Sequence, residues 1–266
     1  KWLLTPAPEG SYRSIFRWGD PNFFKYPKES LYKLMKETFK MTDEDFKEYT
    51  DDIGFDQVDL SSVPSKIDEK HIAALKKIVG DDFVTTGDYQ RLSVAYGATA
   101  YDLLRLRHKI FENIPDVVVY PDTTEHVEKI VKYAVENKIP LYVYGGGSSV
   151  TRGMEAVKGG ITLDMRKRFN KLISFNETDQ TVTVQAGMSG PDLENMLQNA
   201  PTTLGAKRAY TCGHFPQSFE YSSVGGWTVT RGAGQNSTYY GTIADIVLSQ
   251  KYATPIGTIR TPHYPR

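Results

Sequence analysis

Val143-Tyr144-Gly145-Gly146-Gly147-Ser148-Ser149-Val150 follows directly on the apolar run Pro140-Leu141-Tyr142. Three successive glycines leave backbone N–H groups without side-chain cover, and two serines add hydroxyl donors. A phosphate diester lying against bare backbone suits that combination; so does a plain strand-to-loop turn. A second segment, Tyr221-Ser222-Ser223-Val224-Gly225-Gly226-Trp227, repeats the mixture of small and hydroxyl residues.

Working outward, Asp116-Val117-Val118-Val119-Tyr120 reads as a buried strand. Asp122-Thr123-Thr124-Glu125 fits a capping box, with Asp122 and Glu125 as helix caps rather than catalytic acids. Val127, Ile130, Val131, Ala134 and Val135 then keep the spacing of an amphipathic helix. With Pro140-Leu141-Tyr142-Val143-Tyr144 as the next strand, this is a β-α-β unit that runs into the triple glycine. Downstream come a strand at 160–164 and a hairpin that joins 172–175 to 181–186 through Asn176-Glu177-Thr178-Asp179. A short helix over 191–199 and a further strand or hairpin within 243–260 complete the reading.

Before Pro115 the chain reads as mostly helical. Leu31, Leu34, Met35 and Phe39 have helical spacing, as do Ile72, Leu75 and Ile78. Thr42-Asp43-Glu44-Asp45 looks like the cap of a short acidic helix. Residues 98–110 give another helix, whose late Arg105, Arg107 and His108 suit a C-terminal dipole. The expected division is a helical N-terminal region, 1–112, and an α+β nucleotide domain, 113–266.

The 266 residues carry 32 Lys+Arg and 32 Asp+Glu, so the basic excess of a nucleic-acid binder is missing. The single cysteine, Cys212, cannot form an internal disulfide, and it has no metal-ligand partner in the sequence. We read it as buried or inert and expect no metal. No apolar run approaches the roughly 20 residues of a membrane span, and residues 1–20 lack a signal-peptide core.

Two phosphate loops are tested directly. A P-loop needs G-x-x-x-x-G-K-S/T, and no Gly-Lys-Ser/Thr occurs. A dinucleotide fingerprint needs G-x-G-x-x-G before a helix; Val150 stands at the third glycine and Arg152-Gly153 interrupts any helix.

Pro115-Asp116-Val117-Val118-Val119-Tyr120-Pro121, the glycine loop, and Cys212-Gly213-His214-Phe215-Pro216-Gln217-Ser218-Phe219-Glu220-Tyr221-Ser222-Ser223-Val224-Gly225-Gly226-Trp227 carry a family resemblance. Thr230-Arg231-Gly232-Ala233-Gly234, Tyr240-Gly241 and Arg17-Trp18-Gly19-Asp20 extend it. The chain resembles the FAD-binding domain of the vanillyl-alcohol oxidase and p-cresol methylhydroxylase (PCMH) superfamily. Within that group it is similar to the alkyldihydroxyacetonephosphate synthase branch and its bacterial FAD-linked oxidase relatives.

The resemblance implies an α+β fold: a PCMH-type FAD-binding domain of two α/β subdomains, preceded by the helical region. It implies FAD held by Val143, Tyr144, Gly145, Gly146, Gly147, Ser148, Ser149 and Val150 on the first loop. On the second segment it implies Gln217, Ser218, Phe219, Glu220, Tyr221, Ser222, Ser223, Gly225, Gly226, Thr230, Arg231, Gly232 and Ala233. The glycines admit the pyrophosphate, and Ser148 and Ser149 donate to it. Ser218, Ser222 and Ser223 face the flavin or ribityl chain, or else cap a glycine-rich helix start. Arg231 is a charge partner for phosphate or substrate, or a surface ion pair. His214 stands near the flavin or satisfies loop backbone, and Arg166, Lys167 and Arg168 form a solvated turn. With no histidine between Ser149 and Gly153, the FAD is expected to be non-covalent.

The family's further Glu-Gly-Thr/Ser-x-Gly contact and its substrate cap are not matched, so the catalytic residues are expected beyond Arg266. Phe215 and Gln217 replace acidic residues usual in the synthase branch. In that branch flavin N5 takes up acyl-dihydroxyacetone phosphate, and a long-chain alcohol replaces the fatty acid in ether-lipid synthesis. The alternatives are an FAD-linked 2-hydroxyacid dehydrogenase or oxidase, and a non-catalytic nucleotide-binding module. The expected partner is a small or lipid-like substrate, with room for peripheral membrane contact and a homodimer. The expected location is cytoplasmic, or peroxisomal in a eukaryote.

Overall fold

The computed structural model describes residues 6–15, 29–46 and 54–262; the Arg17-Trp18-Gly19-Asp20 motif lies outside them. In chain order the helices and strands are α1 (Glu29–Phe39), α2 (Glu69–Val79), β1 (Val84–Thr85), α3 (Asp88–Ser93), α4 (Ala100–Arg107), β2 (Val117–Val119), α5 (Thr124–Glu136), β3 (Leu141–Tyr144) and β4 (Ile161–Asp164). There follow β5 (Leu172–Asn176), β6 (Thr181–Val184), α6 (Gly190–Gln198), α7 (Ala200–Thr203), α8 (Val224–Thr230), α9 (Ser237–Tyr240), α10 (Ile243–Ile246), β7 (Lys251–Thr254) and β8 (Gly257–Arg260).

The main sheet has the order β1-β2-β4-β3, with β2 and β3 both parallel to β4 and β1 antiparallel to β2. The expected β-α-β unit is therefore β2-α5-β3, with β4 inserted between its two strands. Val117, Val118 and Val119 are all fully buried, because both faces of the sheet are covered. On one face Val117, Val119, Ile161 and Leu163 meet Ile130 and Ala134 of α5 and Leu75 and Val79 of α2. On the other, Val118, Tyr120 and Tyr144 meet Val94. The core runs across residue 113, since α2 and β1 share one apolar cluster with β2 and β4.

Thr123, not Asp122, caps α5: its hydroxyl accepts the His126 N–H at 3.2 Å. The Asp122 carboxylate instead takes Lys171 at 2.5 Å and Arg168 at 3.4 Å, which ties α5 to the start of the hairpin.

The hairpin forms as expected, β5 against β6. Phe175, Val182 and Val184 cover a second core made by Leu193 and Leu197 of α6, Trp227 of α8 and Ile243. The expected strand over 243–260 begins later, because Thr242 and Asp245 cap a helical turn, α10. Only β7 and β8 pair, and their Lys251 and Thr258 hold Glu128 of α5 at 2.9 and 2.8 Å. Helix α1 forms where the spacing predicts it, yet none of its residues is buried. At 42–45 the reciprocal cap bonds form, Thr42 N–H to Asp45 at 2.6 Å and Asp45 N–H to Thr42 at 3.3 Å, around a turn. Among the described residues no helix is long and apolar enough to cross a membrane.

Candidate functional site

Strand β3 ends at Tyr144, and the glycine loop leaves its carboxyl end. Gly147 turns the chain with φ +72°, a conformation side-chain-bearing residues rarely adopt. Its α-carbon lies over the buried Tyr144 ring; a Cβ there would stand 2.6 Å from Tyr144 Cζ. Among the described residues, the backbone N–H groups of Gly145, Gly146, Gly147, Ser148 and Ser149 donate to no protein acceptor. Five consecutive unspent donors suit an anion, since unpaired amides otherwise cost free energy.

The second segment lies directly on this loop. A Cβ at Gly146 would overlap the Tyr221 carbonyl oxygen and come within 2.5 Å of Ser222 Cα. A Cβ at Gly145 would overlap the Ser223 hydroxyl. From the other side, residues 186–190 hold the segment by three backbone bonds. Val224 N–H donates to Met188 O at 2.9 Å, Gly225 N–H to Ala186 O at 2.8 Å, and Gly190 N–H to Ser222 O at 3.3 Å. Gly225 is needed for that approach, as its Cβ would stand 2.7 Å from Ala186 Cβ. The two glycine-rich stretches thus meet backbone to backbone.

Several of the expected contact residues also bond within the protein. Ser222 is buried; its hydroxyl donates to Ser218 O at 2.7 Å and accepts the Trp227 indole N–H at 2.6 Å. Ser223 is the N-cap of α8 and accepts the Gly226 N–H at 3.3 Å. Ser223 thus caps the helix start, one of its two expected roles, and Ser222 braces Trp227 of the same helix. Phe219 stacks on Trp227, with ring centroids 6.0 Å apart. Ser149 accepts the Thr151 N–H at 3.2 Å. Val143 and Val150 are exposed, as are Gln217 and Glu220, whereas Tyr144 is buried. Thr230 bonds back to Gly226 O at 2.8 Å, and Arg231, at φ 53°, ends α8 in left-handed backbone. Arg231 and Ala233 are exposed, and Arg231 makes no ion pair among the described residues. Gly232 brings the chain back to His214; a Cβ there would lie 3.4 Å from His214 Nε2.

His214 does not bond loop backbone. It is 1% exposed, its ring meets Trp227 edge-on at 4.9 Å, and neither ring nitrogen has a partner among the described residues. Burial lowers its pKa and keeps it neutral. The Arg166-Lys167-Arg168 turn is also not simply solvated. Arg166 grips Asp164 at 2.6 Å and lies 4.6 Å over the Tyr144 ring, while Arg168 donates to Tyr120 O at 3.0 Å and covers Phe83. Aromatic faces distant in sequence attract the guanidinium groups, a pairing that spacing in sequence does not show.

Arg105 stands in the last turn of α4, as expected, but its guanidinium is engaged elsewhere. It is 1% exposed and donates to Asp102 at 2.5 Å and to Glu155, beyond the glycine loop. Burial alone would raise the Glu155 carboxyl; bonds from Arg152, Arg105 and Asn113 outweigh it and bring the pKa down to about 2.

Cys212 is half-buried, its thiol donates to His214 O at 3.5 Å, and burial pushes its pKa up to about 12. In native protein at pH 8, alkylation by iodoacetamide is expected to run on the order of a hundredfold slower than for free cysteine. A rate equal to that of free cysteine would contradict the burial. Among the described residues no group of His, Cys, Asp and Glu could hold a metal ion.

The row of amides, closed on one side by Tyr221 and Ser222, offers the donors that the anionic oxygens of a nucleotide pyrophosphate need. A model of the FAD binding domain matches residues 115–262. Alkyldihydroxyacetonephosphate synthase of Dictyostelium discoideum is 30% identical over 264 residues, covering 97% of this chain and 41% of that protein. D-lactate dehydrogenase [cytochrome] 1, mitochondrial, of Saccharomyces cerevisiae is 29% identical over 214 residues, 79% of this chain and 34% of the relative. A solved alkyldihydroxyacetonephosphate synthase, in a P1 crystal, superposes with a TM-score of 0.70 and 32% identity over 75% of this chain and 39% of that one. The chain belongs to the PCMH-type FAD-binding family, and FAD is its cofactor. It spans about two fifths of the length of these synthases.

Proposed function

We infer that the protein containing this chain is an FAD-dependent enzyme of the alkyldihydroxyacetonephosphate synthase type, exchanging the acyl group of acyl-dihydroxyacetone phosphate for a long-chain alkyl group. One observation carries this reading. The likeness to the synthase extends over 97% of the chain, so it includes the N-terminal region as well as the FAD domain.

In this reading the amides of Gly145 to Ser149 take the pyrophosphate, and Tyr221 to Gly226 wall the cleft. When bound, the flavin ring supplies the electrophilic and redox chemistry that side chains lack. The chain's own part is to fix that ring, exclude water and keep His214 neutral behind Trp227. No side chain between Gly145 and Gly153 offers an imidazole or thiol for a covalent link, which supports dissociable FAD.

The likeness to D-lactate dehydrogenase supports a second reading, oxidation of a 2-hydroxyacid. The full-length protein loaded with FAD separates the two. The synthase reading expects alcohol-for-acyl exchange without an electron acceptor and no bleaching of the flavin by D-lactate. Bleaching by D-lactate without exchange reverses the choice.

A further inference from the structure

The glycine loop is gripped from a second side. Opposite the Tyr221–Ser222 contact, the turn before α4 meets Ser149: Ala98 N–H donates to Ser149 O at 2.8 Å. Gly97 allows this approach, since a Cβ there would overlap that oxygen. At the far end of the same segment stands Glu155, 5% exposed. It accepts from Arg105 of α4, from Asn113 at 3.0 Å and from Arg152 at 2.7 and 3.1 Å.

Arg105 is fixed before it reaches Glu155. Asp102 holds one of its nitrogens, and Tyr96 and Tyr101 cover the guanidinium at 3.9 and 4.9 Å from their ring centroids. Asp102 is itself set by the α4 capping box with Thr99. The planar fork of Arg105 thus joins two buried carboxylates, one on its own helix and one on the loop. Arg152, which also holds Glu155, has φ 61°, a left-handed backbone that costs about 1–2 kcal/mol in a residue with a Cβ. The chain tolerates that strain where the contact is made.

We propose that Arg105 is a positioning residue for FAD: through Glu155 at one end and the Gly97–Ala98 contact with Ser149 at the other, the α4 region clamps residues 149–155 and so holds the amide row of 145–149 in register for the pyrophosphate. This rests on the assignment of that row to FAD. It makes the N-terminal region part of the cofactor site without touching the cofactor. The clamp and the Tyr221–Ser222 contact reach the loop from different elements.

The test uses the full-length protein, with FAD dissociation constants and amide exchange of the apoprotein measured for Arg105→Met, Glu155→Gln and Gly146→Val. Arg105→Met keeps the bulk and loses the fork; it is expected to weaken FAD about tenfold or more, the loss of at least one charged hydrogen bond. The amides of Ala98, Thr151 and Glu155, which are bonded within the clamp, should exchange roughly tenfold faster while those of β4 keep their parental rates, a local change that general destabilisation does not produce. Arg105→Lys should recover part of the affinity. Should Arg105→Met not fold, Glu155→Gln, which keeps the shape and one acceptor oxygen, decides by the same two readouts. Parental FAD affinity and parental exchange in these variants overturn the clamp, as does equal acceleration in β4. Loss of FAD by Gly146→Val alone overturns the clamp and leaves the loop assignment standing. Parental affinity in Gly146→Val overturns the loop assignment itself.

Discussion

The Gly146→Val variant is expected to leave gel filtration without flavin. A Cβ at this position already overlaps the Tyr221 carbonyl and reaches within 2.5 Å of Ser222 Cα; valine adds two methyl groups to that overlap. The neighbour cannot retreat. Segment 222–225 is bonded on its far side to Ala186, Met188 and Gly190, and Trp227 anchors it in the second core. The strain, about 1–3 kcal/mol or more by comparison with overpacked cores, therefore moves the glycine loop. Displacing the row removes two or more charge-assisted bonds to the pyrophosphate, about 1.5–3 kcal/mol each, so affinity should fall by more than about a hundredfold. The ratio of flavin to protein absorbance after gel filtration measures this. Far-ultraviolet dichroism should show α2 and α5 intact, since their core lies on the other side of β3 and β4. Gly153→Val is the control. Nothing lies within 4 Å of a Cβ at Gly153, and that variant should keep its FAD. Parental flavin content in Gly146→Val would show that the loop does not carry the cofactor.

The glycine loop was legible because its signal is local: a strand, a break in side chains, and hydroxyls within eight residues. The meaning of its glycines was only half legible. The sequence suggests bare backbone for a phosphate; the structure adds that Gly145 and Gly146 are bare because a second backbone lies on them. The protein partners of the serines at 222 and 223 are hidden for a related reason. A hydroxyl's partner is a matter of direction, and here Trp227 and the first turn of α8 claim both. Strand β1, two residues long, carries no periodicity, so its addition to the sheet across residue 113 could not be read. Arg105 does stand in the last turn of α4, but its partner is not legible in the sequence. Three late charges on a helix match the dipole rule, and the rule does not see that Arg105 faces inward, toward a carboxylate fifty positions away in sequence. Capping and hairpin turns are local and were found. Ion pairs between distant segments were not.

Glu155→Ala should be the most destabilising single change in the described structure outside the apolar cores. The substitution leaves Arg105, 1% exposed, with only Asp102 as a close buried partner, and it leaves Arg152 in a left-handed turn without its ion pair. Removing one partner of a buried ion pair costs about 3–5 kcal/mol, because the remaining charge stays desolvated. Acid offers an independent check. The Glu155 carboxyl is lowered from 4.5 to about 2 in the folded chain. Its contribution is therefore fully present above pH 4.5 and fades as the pH falls toward 2. A shift of that size corresponds to about 3 kcal/mol, of which roughly 2 kcal/mol should be gone at pH 3. Urea unfolding of parent and variant at pH 7 and pH 3 tests both statements. The gap between them should be about 3–5 kcal/mol at pH 7 and should narrow by roughly 2 kcal/mol at pH 3, the variant having no carboxylate left to titrate. A gap of the same size at both pH values would mean that Glu155 works by filling space. Arg105 would then be held by Asp102 and the two tyrosine faces, and the charge that joins α4 to the glycine loop would carry none of the stability assigned to it.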